Sequence, residues 1–542
     1  MIPERVAARA AIGLILLAAL GWRLHNIGFG LPSMYDPDEP IFMITALRLL
    51  TEGTLNPGWF GHPGSTTIYL VAAIDAAVAG SGIVTGRYAD VGAFAHAAYA
   101  DPAMLFVPAR IAMALLGTLC VWLTYLLGKR LQGTATGLIG AGLLALNGLH
   151  IAWSQVIRTD IHAGAFMLAC LLFSARSVQH RRLIDYLLAG AFAGFATATK
   201  WPAGTVFVAV IGAFILAMRT GEERPPAKFM LAAAIAGLAA IFAASPFIFL
   251  DWQTVLANVS GEVRSGHLGH TGSGSIDNLL YYLSDPIAGS MGYAGLLLAL
   301  SGGVIAAARS PVARWTIIPA TVAFLALICS QSVIWSRWVL PVMPMLCLFA
   351  AVAIVRLGTI AGRTFGTVRT EFAVAAIAAA VALPTLTGAF AQARERATDT
   401  RAQAASWAEA HIPAGSRVVF EHLELRVRDR PWHILFPVGQ AGCIDGVAAL
   451  KAGVSFDKVQ KLRGSSPIVD LGNVSRTRIH SCRADYAVLA YHDLYLQEAD
   501  RFPAQLRNYR ILLAGGRTVA LFRPLPGRAG GPVVRIVALP PR

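Results

Sequence analysis

Apolar positions in this chain run in long blocks, not in the helical or alternating periodicity of a half-buried soluble element, and the blocks have the length of membrane helices. A helical span takes about 20 apolar residues. Such blocks fit at about 7–24, 104–127, 134–152, 160–175, 184–199, 202–218, 229–249, 288–308, 315–333, 338–356 and 371–390. The start of the chain also fits a signal peptide, with Arg5 and Arg9 ahead of a short apolar run and Ala18-Ala19 near a cleavage site; the spans that follow favour a retained helix. A further apolar run, Thr66–Val84, decides the topology. If it spans, Lys129 and Arg130 after the next helix fall outside; if it lies in the interface, they fall inside.

With that run in the interface, every alternate loop is basic: Lys129-Arg130, Arg176 with Arg181-Arg182, Arg219 with Arg224 and Lys228, Arg309 with Arg314, and Arg356 through Arg369. Lys and Arg gather in cytoplasmic loops. The pattern therefore predicts a polytopic α-helical membrane protein of about 11 transmembrane helices, with a cytoplasmic N-terminus and juxtamembrane helices in the first external loop. No internal repeat is visible.

Beyond residue 395 the pattern becomes that of a soluble α/β domain. A helix is expected over Thr400–His411, strands over Arg417–Phe420 and Tyr486–Ala490, and a hairpin from Tyr509 to Phe522 through Gly515-Gly516. The expected domains are 1–395 in the membrane, 396–525 as the α/β domain, and 526–542 as a Pro- and Gly-rich tail.

Composition agrees: of 542 residues 56% are hydrophobic and 14% charged, with a mean hydropathy of +0.59. From residue 400 onward, 20 Lys and Arg stand against 11 Asp and Glu, which reads as a solvated face or an anion-binding surface. Four of six cysteines lie in apolar runs. Cys443 and Cys482 lie in the α/β domain, where a disulfide is an open alternative, and no CxxC spacing occurs.

Candidate chemistry centres on Tyr35-Asp36-Pro37-Asp38-Glu39-Pro40. The prolines favour a loop turning into a helix that Asp38 caps; a general base or a metal site is the alternative. The loops on the same side collect Asp36, His62, Arg158, Asp160, Lys200, Asp251, His267, His270 and Arg337, with Arg110 a turn inside its span. Singly, Lys200 and Arg337 read as interfacial anchors and Asp160 as a favourable first-turn acid. Together, cations opposite acids suit an anionic head group beside a proton acceptor. His62, His267 and His270 lack a diagnostic metal spacing. The Gly/Ser-rich stretch Ser265–Gly274 suits a mobile cover.

The order Pro37-Asp38-Glu39, His62-Pro63, Pro108-Ala109-Arg110, Arg158-Thr159-Asp160, Thr199-Lys200-Trp201 and Ser336-Arg337-Trp338-Val339-Leu340-Pro341 resembles the GT-C glycosyltransferases. Within these it is most similar to the protein mannosyltransferase and lipid A aminoarabinose transferase group, and Asp399-Thr400-Arg401 through Ser416 supports this. The resemblance implies an inverting hexosyl- or pentosyltransferase of the bacterial inner membrane. The donor would be a polyprenyl-phosphate-linked sugar; the acceptor, a lipid, glycan or protein, would meet it on the periplasmic side, where the C-terminal domain would also lie. Membrane lipids are further partners, and nucleic acid is not expected.

By the resemblance, Asp38 is the catalytic residue, an acidic side chain that serves the acceptor, with Glu39, His62, Arg110 and Asp160 binding substrate and Lys200 and Arg337 at the carrier phosphate. No cofactor is obligatory, while a divalent metal near His62 stays open. His62-Pro63-Gly64 departs from the commoner His-Pro-Pro, and the loop 251–286 is too short for a large β-rich insertion, which leaves the acceptor open. From other classes, a flippase for lipid-linked sugars would place charges near the bilayer midplane, and a scaffold would leave the acidic loop unexplained.

Overall fold

The computed structural model describes residues 4–220, 224–262, 265–364, 369–422, 424–453, 458, 461–462 and 469–540. Val263 and Arg264 of the long loop, residues 365–368 of the basic run 356–369 and the last two residues of the tail lie outside the described residues. The chain forms two compact units: Met1–Gly28, Asp36–Ser265 and Gly272–Phe390 make the first, and Phe29–Tyr35, Gly266–Thr271 and Ala391–Arg542 the second.

The first unit is a multi-pass membrane fold. Among the described residues nine helices are long and apolar enough to cross a membrane, and three shorter apolar helices, Thr134–Leu146, Leu183–Thr199 and Ala313–Cys329, accompany them. Every expected span has its helix, three of them as short ones. The most deeply buried segments are Thr159–His180 and Ser336–Thr364. Their apolar residues face neighbours all round, as a helix in the middle of a bundle requires. Close crossings rest on small residues. A Cβ on Gly190 would collide with the carbonyl of Ala233, and one on Gly194 with that of Gly237, so Leu183–Thr199 and Ala227–Ala244 meet backbone to backbone.

After helix α1 (Glu4–Leu24) come α2 (Glu39–Glu52) and α3 (Ser65–Val84). By length and composition α3 qualifies as a span, yet both its ends are tied to the same end of the bundle. At its start Gly64 N donates to Thr199 O at 3.2 Å and Thr66 Oγ1 meets Thr199 Oγ1 at 2.6 Å. Just past its end, Tyr88 Oη reaches Met104 Sδ at 3.7 Å, at the start of the Ala103–Gln132 helix. Arg110 in the second turn of that helix and Ile157 N, ahead of Thr159–His180, both bind Glu39, and Lys200, after Thr199, pairs with Asp160. A helix anchored twice at one end lies across the bundle rather than through it, which agrees with its placement in the interface. Gly64, at φ +65°, caps α3 in a conformation closed to proline.

The second unit is a six-stranded sheet with helices on both faces. Its strands are β1 (Arg417–Phe420), β2 (His433–Val438), β3 (Gly442–Asp445), β4 (Tyr486–Leu489), β5 (Arg517–Phe522) and β6 (Val534–Ala538). The order is β3-β2-β1-β4-β6-β5. β1 runs parallel to β2 and β4, and the other pairs are antiparallel. Period-two alternation sends Val418 and Phe420 to one apolar cluster, with Ala404, Ala405 and Ala408 of the Thr400–His411 helix, and Val419 to the other, with Leu506 and Tyr509.

Three expectations change here. Tyr509 is not in a hairpin but in the helix Pro503–Leu512, opened by Pro503, and Gly515-Gly516 turns that helix into β5. The tail contains β6, an inner strand. In the Gly/Ser-rich stretch, Leu268 is buried in the core of the second unit with Tyr495 and Leu489, so this part of the loop is anchored. Cys443 and Cys482 are disulfide-bonded.

Beyond β1, the Glu421 carboxylate accepts N–H bonds from Leu471 (3.1 Å), Ala490 (2.8 Å) and Tyr491 (2.9 Å). Asp470 accepts from Tyr495 Oη (2.8 Å) and Asn473 N (2.7 Å). Burial, and then the charge of Glu421, push the Asp470 carboxyl up to about 7. Native Asp470 thus keeps a proton that the unfolded chain loses near pH 4, and folding of this unit weakens as pH rises from about 4 to 7. Hydrogen exchange of the β1 and β4 amides in the full chain, corrected for intrinsic rates, will show protection falling over that range. Asp470→Asn will flatten the slope; a wild-type profile that rises over the same range counts against the assignment.

Candidate active site

The site starts from two prolines and a carboxylate. Pro37 and Pro40 restrict the backbone, and Asp36 Oδ1 accepts the N–H groups of Asp38 (3.0 Å) and Glu39 (3.3 Å). Asp36 thereby satisfies donors at the start of α2. Asp38 occupies the N-cap position, but its side chain makes no capping hydrogen bond, contrary to the expectation that it caps the helix. Its carboxylate is left for other work. At 30% it is also the most exposed side chain among the ion pairs of this cluster.

Glu39 points the other way. It forms a two-pronged pair with Arg110, Nε to Oε1 at 2.9 Å and Nη2 to Oε2 at 2.6 Å, and accepts Ile157 N at 2.9 Å. Arg110 also donates to Ile27 O at 2.9 Å. Both side chains of the pair are fully buried, so they tie α2, the Ala103–Gln132 helix and the 154–158 segment together behind Asp38.

Arg158 joins the acids in front. Its Nη2 donates to Asp36 Oδ1 at 2.8 Å and Oδ2 at 3.0 Å, and its Nη1 donates to Asp38 Oδ2. Arg337 lies 3.8 Å from Asp38 Oδ2 and 3.8 Å from Asp160 Oδ2, and Lys200 Nζ pairs with Asp160. Three indole faces back the cations. Arg158 lies over Trp153, Arg337 over Trp335 at 4.2 Å, and Lys200 over Trp338. Asp160 and Arg337 stand at the first turns of the two most buried segments.

Arg158, Lys200 and Arg337 thus balance Asp36, Asp38 and Asp160. Burial acts to raise the Asp38 carboxyl, but Arg158 and Arg337 outweigh it and hold the group below its ordinary value, fully ionised at neutral pH. Burial, followed by Lys200 and Arg337, lowers His62 to about 3, so its ring is neutral. Among the described residues no three His, Cys, Asp or Glu side chains converge as a ligand set. Asp38 and Asp160 are engaged by cations, and His62 feels the field of Lys200, Arg337 and Arg158.

Of the expected residues, Asp38, Asp160, Lys200 and Arg337 share one cluster whose field reaches His62, and Glu39 with Arg110 forms the sealed pair behind it. Asp251 stands apart, accepting Asn56 Nδ2 at 3.0 Å. His267 and His270 belong to the second unit. Sequence reasoning missed the pairing of Asp36 with Arg158. The visible signal was Arg158 itself, an arginine directly before Thr159-Asp160.

The family model described as "Dolichyl-phosphate-mannose-protein mannosyltransferase" matches residues 104–250, a stretch holding Arg110, Arg158, Asp160 and Lys200. Curated protein sequences yield no match. Among solved structures, the chain is similar to ArnT from Cupriavidus metallidurans in the apo state, at 15% identity and a TM-score of 0.51 over 99% of this chain and 100% of that one. It is also similar to the archaeal oligosaccharyltransferase AglB from Archaeoglobus fulgidus in complex with an inhibitory peptide and a dolichol-phosphate. That match has 12% identity and a TM-score of 0.51 over 94% of this chain and 72% of that one. The expected GT-C-like fold, a helical membrane unit followed by an α/β domain, is what the structure has.

Arg110→Met leaves Glu39 buried without its cation, a change that costs about 3–5 kcal/mol. Thermal unfolding of the full chain in detergent will show a lowered midpoint for Arg110→Met. The double variant Arg110→Met/Glu39→Leu will recover most of the loss. Equal midpoints for wild type and Arg110→Met would contradict the sealed pair.

Proposed function

We propose that this protein is an inverting glycosyltransferase that moves a sugar from a polyprenyl phosphate carrier to an acceptor on the periplasmic side of a bacterial inner membrane. The observation that carries the reading is one partly exposed, ionised carboxylate, Asp38, set beside the buried cations Arg337 and Arg158 and across from Lys200. The matched family's description and the dolichol-phosphate held by AglB support a lipid phosphate donor. The charges gather at one end of the helical unit, which favours a transferase over a flippase. The Cys443–Cys482 bond supports an oxidising compartment for the second unit.

In the reaction, an acceptor hydroxyl or amine attacks the anomeric carbon from the face opposite the phosphate. The new glycosidic bond forms as the bond from that carbon to the phosphate oxygen breaks. The acceptor proton passes to Asp38 and on to solvent, and the lipid phosphate leaves as an anion facing Lys200 and Arg337. Arg158 holds Asp38 in place and ionised. Glu39 and Arg110 act as positioning residues, since neither side chain is exposed.

Purified protein incubated with a panel of polyprenyl-phosphate sugars and membrane extract will release free polyprenyl phosphate, read by mass spectrometry. Asp38→Asn will lower kcat by about 10²–10⁴-fold with donor binding kept. Full activity in Asp38→Asn sinks the assignment, and donor translocation without release moves it to a flippase. Because Asp38 and His62 both titrate below the ordinary ranges of their types, kcat will be level from pH 5 to 8. Arg158→Gln will move the acid limb upward.

A further inference from the structure

The second unit holds a polar cluster that takes no part in the chemistry above. Ser33 and Tyr35 come from the strap Phe29–Tyr35, Asp399 and Arg401 from the start of the Thr400–His411 helix, and His422 and Glu424 from the segment after β1. In open α/β sheets ligands settle at the carboxyl ends of neighbouring parallel strands where the strand order reverses. Here that place lies between β1 and β4, and Glu421 closes it with its own carboxylate. The residues just beyond it remain.

Glu424 is 6% exposed. Its Oε2 accepts from Ser33 Oγ at 2.5 Å and the Tyr35 hydroxyl lies against the same carboxylate, while Oε1 is buried with no hydrogen-bond partner among the described residues. His422 Nε2 is likewise buried with no partner among the described residues, and its ring stands 5.9 Å from that of Tyr35. Burial, then the charge of Arg401, lower His422 to about 3, so its ring is neutral. Arg401 is locked by Asp399 at 2.9 and 2.8 Å, stacks on the Tyr35 ring at 3.9 Å and donates to Tyr35 O at 3.2 Å.

A buried carboxylate oxygen without a donor carries a desolvation cost that a ligand donor removes. The cluster asks for such a donor beside a second group that meets a neutral imidazole. An anion is disfavoured, since Arg401 is already neutralised by Asp399. A divalent ion finds no three-ligand set among the described residues. Neighbouring hydroxyls of a sugar ring meet both needs: one donates to Glu424 Oε1 while its neighbour pairs with His422 Nε2.

We propose that Ser33, Tyr35, His422 and Glu424 form a carbohydrate subsite of the second unit, which takes the hydroxyls of a glycan acceptor. As an acceptor subsite it rests on the transferase reading; as a sugar site it does not.

The test uses the full chain in lipid nanodiscs with methyl α-mannoside and N-acetylglucosamine as probes, read by saturation-transfer NMR and titration. At least one probe will bind wild type and Asp38→Asn alike, and bind Glu424→Gln and Ser33→Ala at least tenfold more weakly. Hydrogen exchange of β1 and β4 checks that these variants stay folded, and the two substitutions come from separate segments. Binding of neither probe, or unchanged binding in both variants, overturns the subsite. Glu424-dependent binding together with absent transfer from every lipid-linked donor leaves the sugar site standing and removes the transferase reading.

Discussion

A charge at the end of an apolar helical unit needs an opposite charge or a set of hydrogen-bond partners, because an unpaired ion out of water costs several kcal/mol. Arg158 is where that condition is met most densely. Its guanidinium takes Asp36 with one edge and Asp38 with another while its plane lies over Trp153. Around this fork the labour is divided among three successive acids of one loop. Asp36 caps the start of the helix, Glu39 fastens it to Arg110, and Asp38, relieved of both tasks, faces outward.

The same logic explains why the site rests on the most buried segments. Asp160 and Arg337 begin stretches whose side chains are packed on every side, so neither backbone can shift without disturbing the core. Lys200 is held against Asp160 and Trp338. The cations are therefore held in place by packing and pairing, and under the proposed reaction stabilisation of a departing anion needs little reorganisation. In the resting protein they are occupied by carboxylates, so an incoming anion competes with Asp160 and Asp38 for them.

Much of this was legible in the chain. Helix lengths, alternate basic loops and the ordered short motifs sufficed for the fold, because span length and loop charge are local quantities. They also singled out Asp38, Asp160, Lys200 and Arg337, charges that stand out in apolar surroundings and that the structure brings into one cluster. What stayed hidden is non-local. Nothing in the spacing says that Arg158 reaches back to Asp36, or that Glu39 is turned away from its neighbour Asp38. Pro503 and the helically spaced Leu506 and Tyr509 carried a helix signal that the glycines after them masked. β6 was missed because Pro and Gly around residues 524–532 read as a tail.

That last strand has a consequence for how the chain matures. β6 lies between β4 and β5 and is the strand that hydrogen-bonds β5 into the sheet. During synthesis, β1, β2 and β4 can associate as soon as they are made, but β5 has nothing to join until residues 534–538 exist. Until then β4 carries an open edge, the kind of surface on which strands from other molecules dock. A nascent or shortened chain that stops ahead of Val534 would keep its helical unit and the acids within it, yet expose a sticky half-sheet to quality control.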